Sequence, residues 1–325
     1  MIKFTHTEFA GKSKKGVQIM SVVIKETEYK NFGKCVEISN EVVKLLVMID
    51  AGPRIIYYAF SDGENVMWED LDRTMQNKRV IDVYGSPWVI FGGHRLWASP
   101  EKFPRTYYAD NDPVFYEKTE NGVRFVQNTQ KLNQYQMEYT VSLSPDSTDV
   151  TVTHKITNRS LWDITLAPWA ITVLKGGGKE IVPLSCADTR PLANRQLAFW
   201  PYSNLCDERF QLLNKYVVLG QHDYAPKAFK FGTNCEDGIS MYFNQGDIFI
   251  KKFDVKKDGI YPDGGMNFES YSAKGYIEME SLGELQTIKP DESCEHTEYW
   301  SLARGAAPDE YTDEKIDEMV EKYVR

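Results

Sequence analysis

The chain has 325 residues, a formal net charge of −9 and 42% hydrophobic residues, so it is long enough to bury a full core. Acidic and basic side chains are intermixed without a basic stripe, which argues against nucleic acid as a partner. No apolar run approaches the roughly 20 residues of a membrane helix, and residues 1–6 contain no apolar signal core. We therefore expect a soluble, cytoplasmic protein without a membrane partner.

Cysteine and histidine residues fit no metal site by their spacing. The five cysteines form no C-x-x-C pair, lie far apart and are typical of reduced thiols: Cys35, Cys186, Cys206, Cys235 and Cys294. None of the five histidines falls in a metal-ligand spacing. We expect a function that needs no metal ion and no organic cofactor. The alternative is a calcium site that loop Asp and Asn side chains form without a readable motif.

A hydrophobic periodicity of two runs through most of the chain and favours strands. In chain order the predicted strands are 42–49, 55–60, 122–130, 134–143, 148–157, 162–174, 216–221, 228–231, 239–244, 247–254, 275–280 and 294–303. Almost no amphipathic helix of useful length interrupts this series, so parallel βαβ units are not expected. The pattern predicts an all-β sandwich that forms a single domain over residues 1–325.

Two long irregular stretches and one helix complete the predicted elements. Residues 61–110 and 176–215 are rich in Pro, Gly, Asn and aromatic residues, and loops of this length in a β domain usually belong to a binding face. Over residues 312–325, Thr312 can cap a helix, and its apolar positions follow at helical spacing: Ile316, Met319, Val320, Tyr323 and Val324. We expect this C-terminal helix to dock on the sandwich, because its opposite face is mostly acidic and anionic lipid would repel it.

Residues 91–101, with the sequence FGGHRLWASPE, form the most informative segment. His94 can move a proton near neutral pH, Arg95 can fork onto paired oxygens, Trp97 offers a flat apolar face, and Glu101 can accept a hydrogen bond. That combination suits a polyhydroxylated ring. The alternative interpretation is structural, with His94 as a hydrogen-bonded core residue, Trp97 as core filling and the glycines as a bulge.

A second group of polar residues lies late in the chain. Tyr276, Glu278 and Glu280 alternate with Ile277 and Met279, so a strand here places both carboxylates on one face. If that face lines a pocket, desolvation and mutual repulsion raise the pKa of at least one carboxyl, as a base working near neutrality requires. The alternative is a solvated strand face.

The order of three late segments resembles the end of the galactose mutarotase-like superfamily: GYIEMES at 275–281, LQTIKPDES at 285–293 and EYWSL at 298–302. In that superfamily a strand carries a glutamate base, and a turn and a final Trp-containing strand follow. More narrowly, the Gly-Gly-His-Arg-x-Trp and Ala-Pro-Trp segments are similar to the uncharacterised DUF4380 family. The resemblance covers roughly residues 30–305. It implies a β-supersandwich with a sugar site on its concave face, and hence a small-molecule carbohydrate as the partner.

The resemblance also implies roles for individual residues. In mutarotases a carboxylate takes the proton of the anomeric hydroxyl while an acid, usually His, protonates the ring oxygen. Glu280 matches the base best, with Glu278 as the second choice, but Trp169 falls where the acid histidine stands in the family. Either His94 supplies the acid from the other side of an aldose 1-epimerase-type site, or the chain is a non-catalytic carbohydrate-binding or sensing protein.

Further side chains are candidates for contacts with the sugar. Trp97 and Trp169 are the expected stacking platforms, beside Arg95 and Glu101. Asp263 can accept hydrogen bonds from hydroxyls or serve as a turn residue, and Lys251 can reach the same face or be solvated. Our hypothesis is that five side chains converge on one concave cavity: His94, Arg95, Trp97, Trp169 and Glu280.

Overall fold

The structure is a computed structural model that describes residues 21–225 and 227–325. Residues 1–6, for which the sequence predicts no signal core, lie outside the described residues, as does the beginning of the single domain predicted over 1–325. The strands are β1 (Val23–Glu28), β2 (Lys34–Ser39), β3 (Val43–Met48), β4 (Arg54–Phe60), β5 (Gln76–Asn77), β6 (Trp88–Val89), β7 (Gly93–Ser99), β8 (Phe115–Lys118), β9 (Gly122–Val126), β10 (Tyr135–Leu143), β11 (Val150–Asn158), β12 (Ile164–Lys175), β13 (Lys179–Pro183), β14 (Leu197–Phe199), β15 (Phe210–Leu212), β16 (Tyr216–Gly220), β17 (Phe229–Thr233), β18 (Ile239–Asn244), β19 (Asp247–Phe253), β20 (Phe268–Ala273), β21 (Tyr276–Leu282), β22 (Gln286–Ile288) and β23 (Ser293–Arg304).

Short helical segments connect some of these strands. The helices are α1 (Ile81–Tyr84), α2 (Pro262–Gly265) and α3 (Asp313–Tyr323), and 3-10 turns cover Lys30–Phe32, Lys78–Val80 and Arg105–Tyr107. The predicted C-terminal helix corresponds to α3, and the Thr312 side chain accepts a hydrogen bond from the Lys315 backbone amide at its start. The cap therefore works as the sequence indicates.

Two large antiparallel sheets form the body of the fold. The first has the order β1-β2-β3-β4-β7-β12-β21-β20-β17-β14, with β22 paired to β12, and the second has the order β15-β16-β13-β18-β19-β23-β11-β10-β9-β8. Apolar side chains from the inner faces of both sheets make one core, which includes Val47, Phe125, Phe231 and Trp300. The all-β sandwich predicted from the period-two pattern is confirmed.

The outer face of the second sheet is covered by α3. Ile316 and Val320 of this helix pack among Ile181, Val218 and Ile250 of the sheet. The helix docks on the sandwich, as its apolar stripe predicts. Each predicted strand overlaps an observed one. The sequence predicted no strand at the positions of β1, β2, β5, β6, β7, β8, β13, β14, β15, β20 and β22.

The strand β7 is the main departure from the predicted elements, because residues 61–110 were expected to be irregular. It is a central strand that pairs with β4 on one side and β12 on the other. Gly92 and Gly93 at its start adopt φ values of +100° and +63°, and a Cβ there would lie 2.1 Å from the Trp68 carbonyl oxygen and 2.2 Å from that of Ile55. Only glycine fits this close approach.

Several polar side chains lie between the two sheets. Glu180 of β13 is fully buried and accepts hydrogen bonds from Ser240 and Ser270. Burial raises the pKa of Glu180 to about 8, so the carboxyl is mostly protonated at neutral pH in the folded protein. In the unfolded chain the same group ionises near its ordinary pKa of about 4.3. Between these two pKa values the folded state keeps a proton on Glu180 that the unfolded chain has released. The contribution of Glu180 to the free energy of unfolding therefore decreases as the pH rises from about 4.3 to about 8.

We expect Glu180→Gln to stabilise the protein at neutral pH but hardly at pH 5, because the neutral amide has no ionisation to gain on unfolding. The difference in unfolding free energy between variant and native chain should grow by roughly 2 to 3 kcal/mol from pH 5 to pH 7. Urea unfolding of both proteins at pH 5 and pH 7 measures these free energies. Subtracting the native value from the variant value at each pH removes the contributions of the other titratable groups. A difference that stays constant with pH would contradict the buried, protonated state of Glu180.

Candidate functional site

A cavity of about 660 Å³ opens on the outer face of the first sheet. Its floor comes from strands β7, β12, β21 and β17, and its walls come from the two long stretches that the sequence marked as irregular. The lining residues are Met75, Gln76, Asn77, Lys78, Arg79, Trp88, Ile90, Arg95, Trp97, Glu101, Tyr107, Trp169, Ile171, Trp200, Tyr202, Ala228, Lys230, Tyr271, Tyr276, Glu278 and Glu280. Five of the residues predicted to bind the substrate therefore line this one cavity, together with the predicted base Glu280.

Strand alternation and register explain which side chains reach this floor. In β21, Glu278 and Glu280 face the cavity while Ile277 and Met279 join the core, as the sequence predicts. Ile171 of β12 pairs with Arg95 on one side and with Glu280 on the other. The guanidinium and the carboxylate therefore lie on the same face, two strands apart.

The Glu280 carboxylate is held on one oxygen and free on the other. Its Oε2 accepts hydrogen bonds from Trp169 Nε1 at 2.8 Å and from Lys230 Nζ at 2.9 Å. Its Oε1 is buried and has no partner among the described residues. The side chain is 1% exposed, so it cannot swing into bulk water. An oriented carboxylate with one oxygen available can accept a proton or a hydrogen bond from a ligand hydroxyl.

Lys230 carries a buried positive charge at the centre of the floor. Its Nζ lies 2.7 Å from Glu269 Oε2 as well as close to Glu280, and it lies over the rings of Trp169 and Trp200. Burial opposes its charged form, but the carboxylates of Glu280 and Glu269 outweigh burial and raise the pKa of Lys230. Burial also raises the pKa of Glu269 to about 8.

Arg95 and Glu278 form a second buried pair beside the first. Arg95 Nη2 donates to Glu278 Oε1 at 3.1 Å, and the guanidinium lies over the rings of Trp88 and Trp97. Its Nε and Nη1 atoms are buried without partners among the described residues. The N–H groups of a guanidinium lie in the plane of the guanidinium itself, so contact of its flat face with an aromatic ring does not block them. Arg95 can therefore still donate to a ligand.

Aromatic side chains make up much of the cavity wall. Trp97 and Trp169 meet edge to face with ring centroids 5.4 Å apart, and Trp88 lies 5.1 Å from Trp97. Trp200 and Tyr202 also line the cavity. Glu101 lies on the exposed rim, where it accepts a hydrogen bond from Tyr107 at 2.5 Å. Flat apolar rings beside carboxylates and cations suit a ligand with both C–H faces and hydroxyl groups.

The structure does not bring His94 to this cavity. Because β7 is a strand, Arg95 and Trp97 point outward, whereas His94 points into the core and is fully buried between the sheets. Its Nε2 lies 2.7 Å from His154 Nε2, and its Nδ1 lies 2.9 Å from Thr172 Oγ1. Burial lowers the pKa of His94 well below its usual range, so the ring is neutral. This geometry corrects the expectation that His94 is the acid of the site.

Lys251 and Asp263 also lie away from the cavity. Lys251 faces the core on β19, where its Nζ lies 2.7 Å from Glu298 Oε1 and donates to the Met279 carbonyl at 2.9 Å. Asp263 is exposed on α2, at a positive φ of 51° that is typical of a turn residue. Both positions considered for Lys251, in contact with the sugar or in solvent, are therefore wrong. Asp263 occupies a turn, which was the alternative to a sugar contact in the sequence analysis.

The described residues contain one group with metal-ligand chemistry, formed by His94, His154 and Glu298 between the sheets. Their ligand atoms lie within 4.8 Å of one another. The two imidazoles are hydrogen-bonded to each other, and Glu298 is occupied by Lys251, Ser281 and Trp300. The potential ligand atoms of this group are therefore already engaged in hydrogen bonds and an ion pair within the protein. A metal ion here would also be repelled by the positive charge of Lys251.

Sequence reasoning missed the floor residue Lys230 and the wall residues Trp200 and Tyr202. A signal for Lys230 was present, because it stands between Phe229 and Phe231 in a predicted strand. A lone lysine that alternates with buried aromatic residues must face either solvent or a polar pocket. Trp200 and Tyr202 follow no period, since they belong to a loop.

Among the residues that the structure describes, no helix is long and apolar enough to cross a membrane. The chain matches no protein-family model and no curated protein sequence.

Solved structures match the fold at low sequence identity. A Klebsiella pneumoniae subsp. pneumoniae protein, provisionally named an aldose 1-epimerase, matches with a TM-score of 0.59 and 11% identity, over 92% of this chain and 86% of that chain. A galactose mutarotase-like protein from Clostridium acetobutylicum has a TM-score of 0.55 and 12% identity, over 87% and 99%. One from Lactobacillus casei has a TM-score of 0.52 and 12% identity, over 83% and 100%. Two antiparallel sheets, a C-terminal helix and these matches together show that the chain has the galactose mutarotase-like fold.

Proposed function

We propose that the protein binds the pyranose ring of a carbohydrate in the cavity on the first sheet. The observation that carries this proposal is the Glu280 carboxylate, which Trp169 and Lys230 hold by Oε2 while Oε1 is left without a partner. Arg95 offers unpaired N–H donors nearby, and tryptophan rings supply apolar faces. A sugar ring presents hydroxyls at its edge and C–H groups on its faces, so it matches both kinds of surface.

We further propose that the bound sugar is an aldose whose anomers the protein interconverts, as an aldose 1-epimerase-type enzyme does. Glu280 Oε1 takes the proton of the anomeric hydroxyl, the C1–O5 bond opens, and the ring closes again after rotation about C1–C2. Trp169 and Lys230 keep the base in place, and Lys230 stabilises its negative charge. The fold supports this proposal by analogy alone; the residues above supply its chemistry.

The second candidate is a non-catalytic carbohydrate-binding or sensing protein. A specific observation favours it: among the described residues that line the cavity there is no histidine, and Trp169 hydrogen-bonds to Glu280 at the family's acid position. Membership of the DUF4380 branch and the cytoplasmic location remain proposals, which rest on the two sequence segments and on the composition.

Polarimetry on freshly dissolved α-D-glucose and α-D-galactose tests the enzymatic proposal, and tryptophan fluorescence titration with the same sugars and with D-glucuronate tests binding. Acceleration above the buffer rate supports the enzyme. Saturable binding without acceleration supports the sensing protein instead. If millimolar concentrations of these sugars give neither acceleration nor saturable binding, the proposal that the cavity binds carbohydrates of this kind is wrong.

We expect Trp200→Ala to weaken sugar binding roughly tenfold, since it removes one apolar wall and the ring beneath the Lys230 ammonium. Fluorescence titration of the sugar that binds the native protein measures the change. Trp162→Ala is the matched control, because Trp162 is 77% exposed on the loop between β11 and β12, outside the cavity. Equal affinities of the two variants would remove Trp200 from the binding wall.

A further inference from the structure

The reaction proposed above requires an acid at the ring oxygen, and this inference rests on that proposed function. Neither cation of the floor fits the role: Arg95 does not lose its proton in a protein, and the pKa of Lys230 is raised. Phenols of the wall are also poor acids here, because burial raises the pKa of each of them: Tyr107, Tyr202, Tyr271 and Tyr276. Glu101 lies on the exposed rim, outside the buried floor. One carboxyl of the floor is left.

We propose that Glu278 is the acid that protonates the ring oxygen, so that one strand supplies both halves of the acid–base pair. Glu278 and Glu280 stand two positions apart on β21 and face the same cavity. Their Cβ atoms are about 7 Å apart in a strand. The anomeric oxygen and the ring oxygen are both bonded to C1, and two glutamate side chains from such positions can converge on them.

The charges of the floor favour a proton on one of its carboxyls. Three buried carboxyl groups, Glu269, Glu278 and Glu280, face only two cations, Arg95 and Lys230, so full ionisation leaves an unbalanced negative charge away from water. Glu269 does not line the cavity, so Glu278 is the carboxyl beside the base that a ligand can reach. Glu278 is surrounded by these charges and by two phenols: Arg95 on β7, Glu280 on β21, Lys230 on β17, Tyr271 on β20 and Tyr276 on β21. Val173, its neighbour on β12, is apolar.

The combined effect of these neighbours on the pKa of Glu278 agrees with its role as the acid. Burial raises the pKa of Glu278, Arg95 opposes this, and Glu280 adds to it, so that the carboxyl titrates above its ordinary range. Arg95 holds the Oε1 atom at 3.1 Å, whereas no described residue donates to Oε2. Arg95 is therefore the positioning residue of the acid, as Trp169 and Lys230 are for the base.

The step balances without any further reactant. Glu280 takes the proton from O1, the O1–C1 electrons form the carbonyl, the C1–O5 bond breaks, and O5 receives the proton of Glu278. The open-chain aldehyde then rotates about C1–C2. On closure the ionised Glu278 takes the proton back from O5 and Glu280 returns its proton to O1, so the enzyme ends as it began and the anomer has changed.

The test compares pH profiles of anomer interconversion for the native protein, Glu278→Gln and Glu280→Gln, by polarimetry on α-D-glucose and α-D-galactose. The native profile should be bell-shaped. Glu278→Gln should lower kcat on the order of a hundredfold and lose the alkaline limb, which reports the acid, while Glu280→Gln loses the acidic limb, which reports the base. Glu278→Asp keeps a carboxyl and should keep the alkaline limb at a reduced rate.

The outcomes separate this inference from the function on which it rests. If the native protein does not accelerate interconversion, the enzymatic function fails and the inference fails with it. If the native protein is active but Glu278→Gln keeps both limbs and raises only KM, Glu278 is a binding residue and this inference alone is overturned. Glu295→Gln, a solvent-facing change on β23, is the control that should match the native profile. Should Glu278→Gln not fold, loss of the alkaline limb in Glu278→Asp would overturn the inference.

Discussion

Glu280→Gln is expected to lower the rate of anomer interconversion on the order of a hundredfold or more, the usual contribution of a general base. Glutamine keeps the shape of the side chain, and its amide oxygen can still accept from Trp169 and Lys230. The amide nitrogen then stands where Oε1 was, and it cannot take a proton. Affinity for the sugar should change little, so the loss should appear in kcat rather than in KM.

Polarimetry for turnover and fluorescence titration for affinity measure the two effects separately. Glu295→Gln makes the same chemical change on a solvent-facing position of β23 and should leave both quantities as they are. A Glu280→Gln protein with more than about a third of native turnover would show that another group removes the proton, since a general base contributes at least about a hundredfold.

Lys251→Met should lower the free energy of unfolding by about 3 to 5 kcal/mol, because it leaves the fully buried Glu298 without its cation. Burial opposes ionisation of Glu298, but Lys251 and the neighbouring imidazoles outweigh it and lower its pKa. Without Lys251 the folded-state pKa of Glu298 rises above its unfolded value. The folded protein then gains from protonation, so the destabilisation should be larger at pH 8 than at pH 5.

Urea unfolding at both pH values measures this loss. Lys315→Met is the control, since the Lys315–Glu318 pair lies exposed on α3 and such pairs contribute at most about 1 kcal/mol. The double variant Lys251→Met with Glu298→Gln should recover part of the stability, because it removes the unpaired charge. A loss below about 1 kcal/mol for Lys251→Met would mean that Ser281 and Trp300 alone satisfy Glu298.

The segment at 91–101 shows why part of the site was predictable and part was not. Its residue types indicate a binding surface, and Arg95, Trp97 and Glu101 do line the cavity. The segment falls in the stretch 61–110 that was expected to be irregular, and in an irregular segment neighbouring side chains can share one side. In the observed strand, neighbours point to opposite faces, so His94 and Arg95 cannot both face the cavity.

Lys251 was misplaced for a different reason. The alternation in β19 is readable, and it places Lys251 on the same face as Phe249. Whether that face meets solvent, a cavity or the other sheet depends on which strands pack against it. The partner that makes burial of a lysine tolerable, Glu298, is 47 residues away on β23.

What the sequence determined by itself is local and periodic: the strand pattern, the sandwich, the common face of Glu278 and Glu280, and the capped C-terminal helix with its apolar stripe. These follow from side-chain periods of two and 3.6, which need no partner to be read. Only the tertiary structure decided which face of each strand is the cavity and which is the core, and it alone joined Lys230, Glu269 and Glu280 from three strands. The physical reason is that burial and ion pairing are properties of packed surfaces, and residues far apart in the chain create them together.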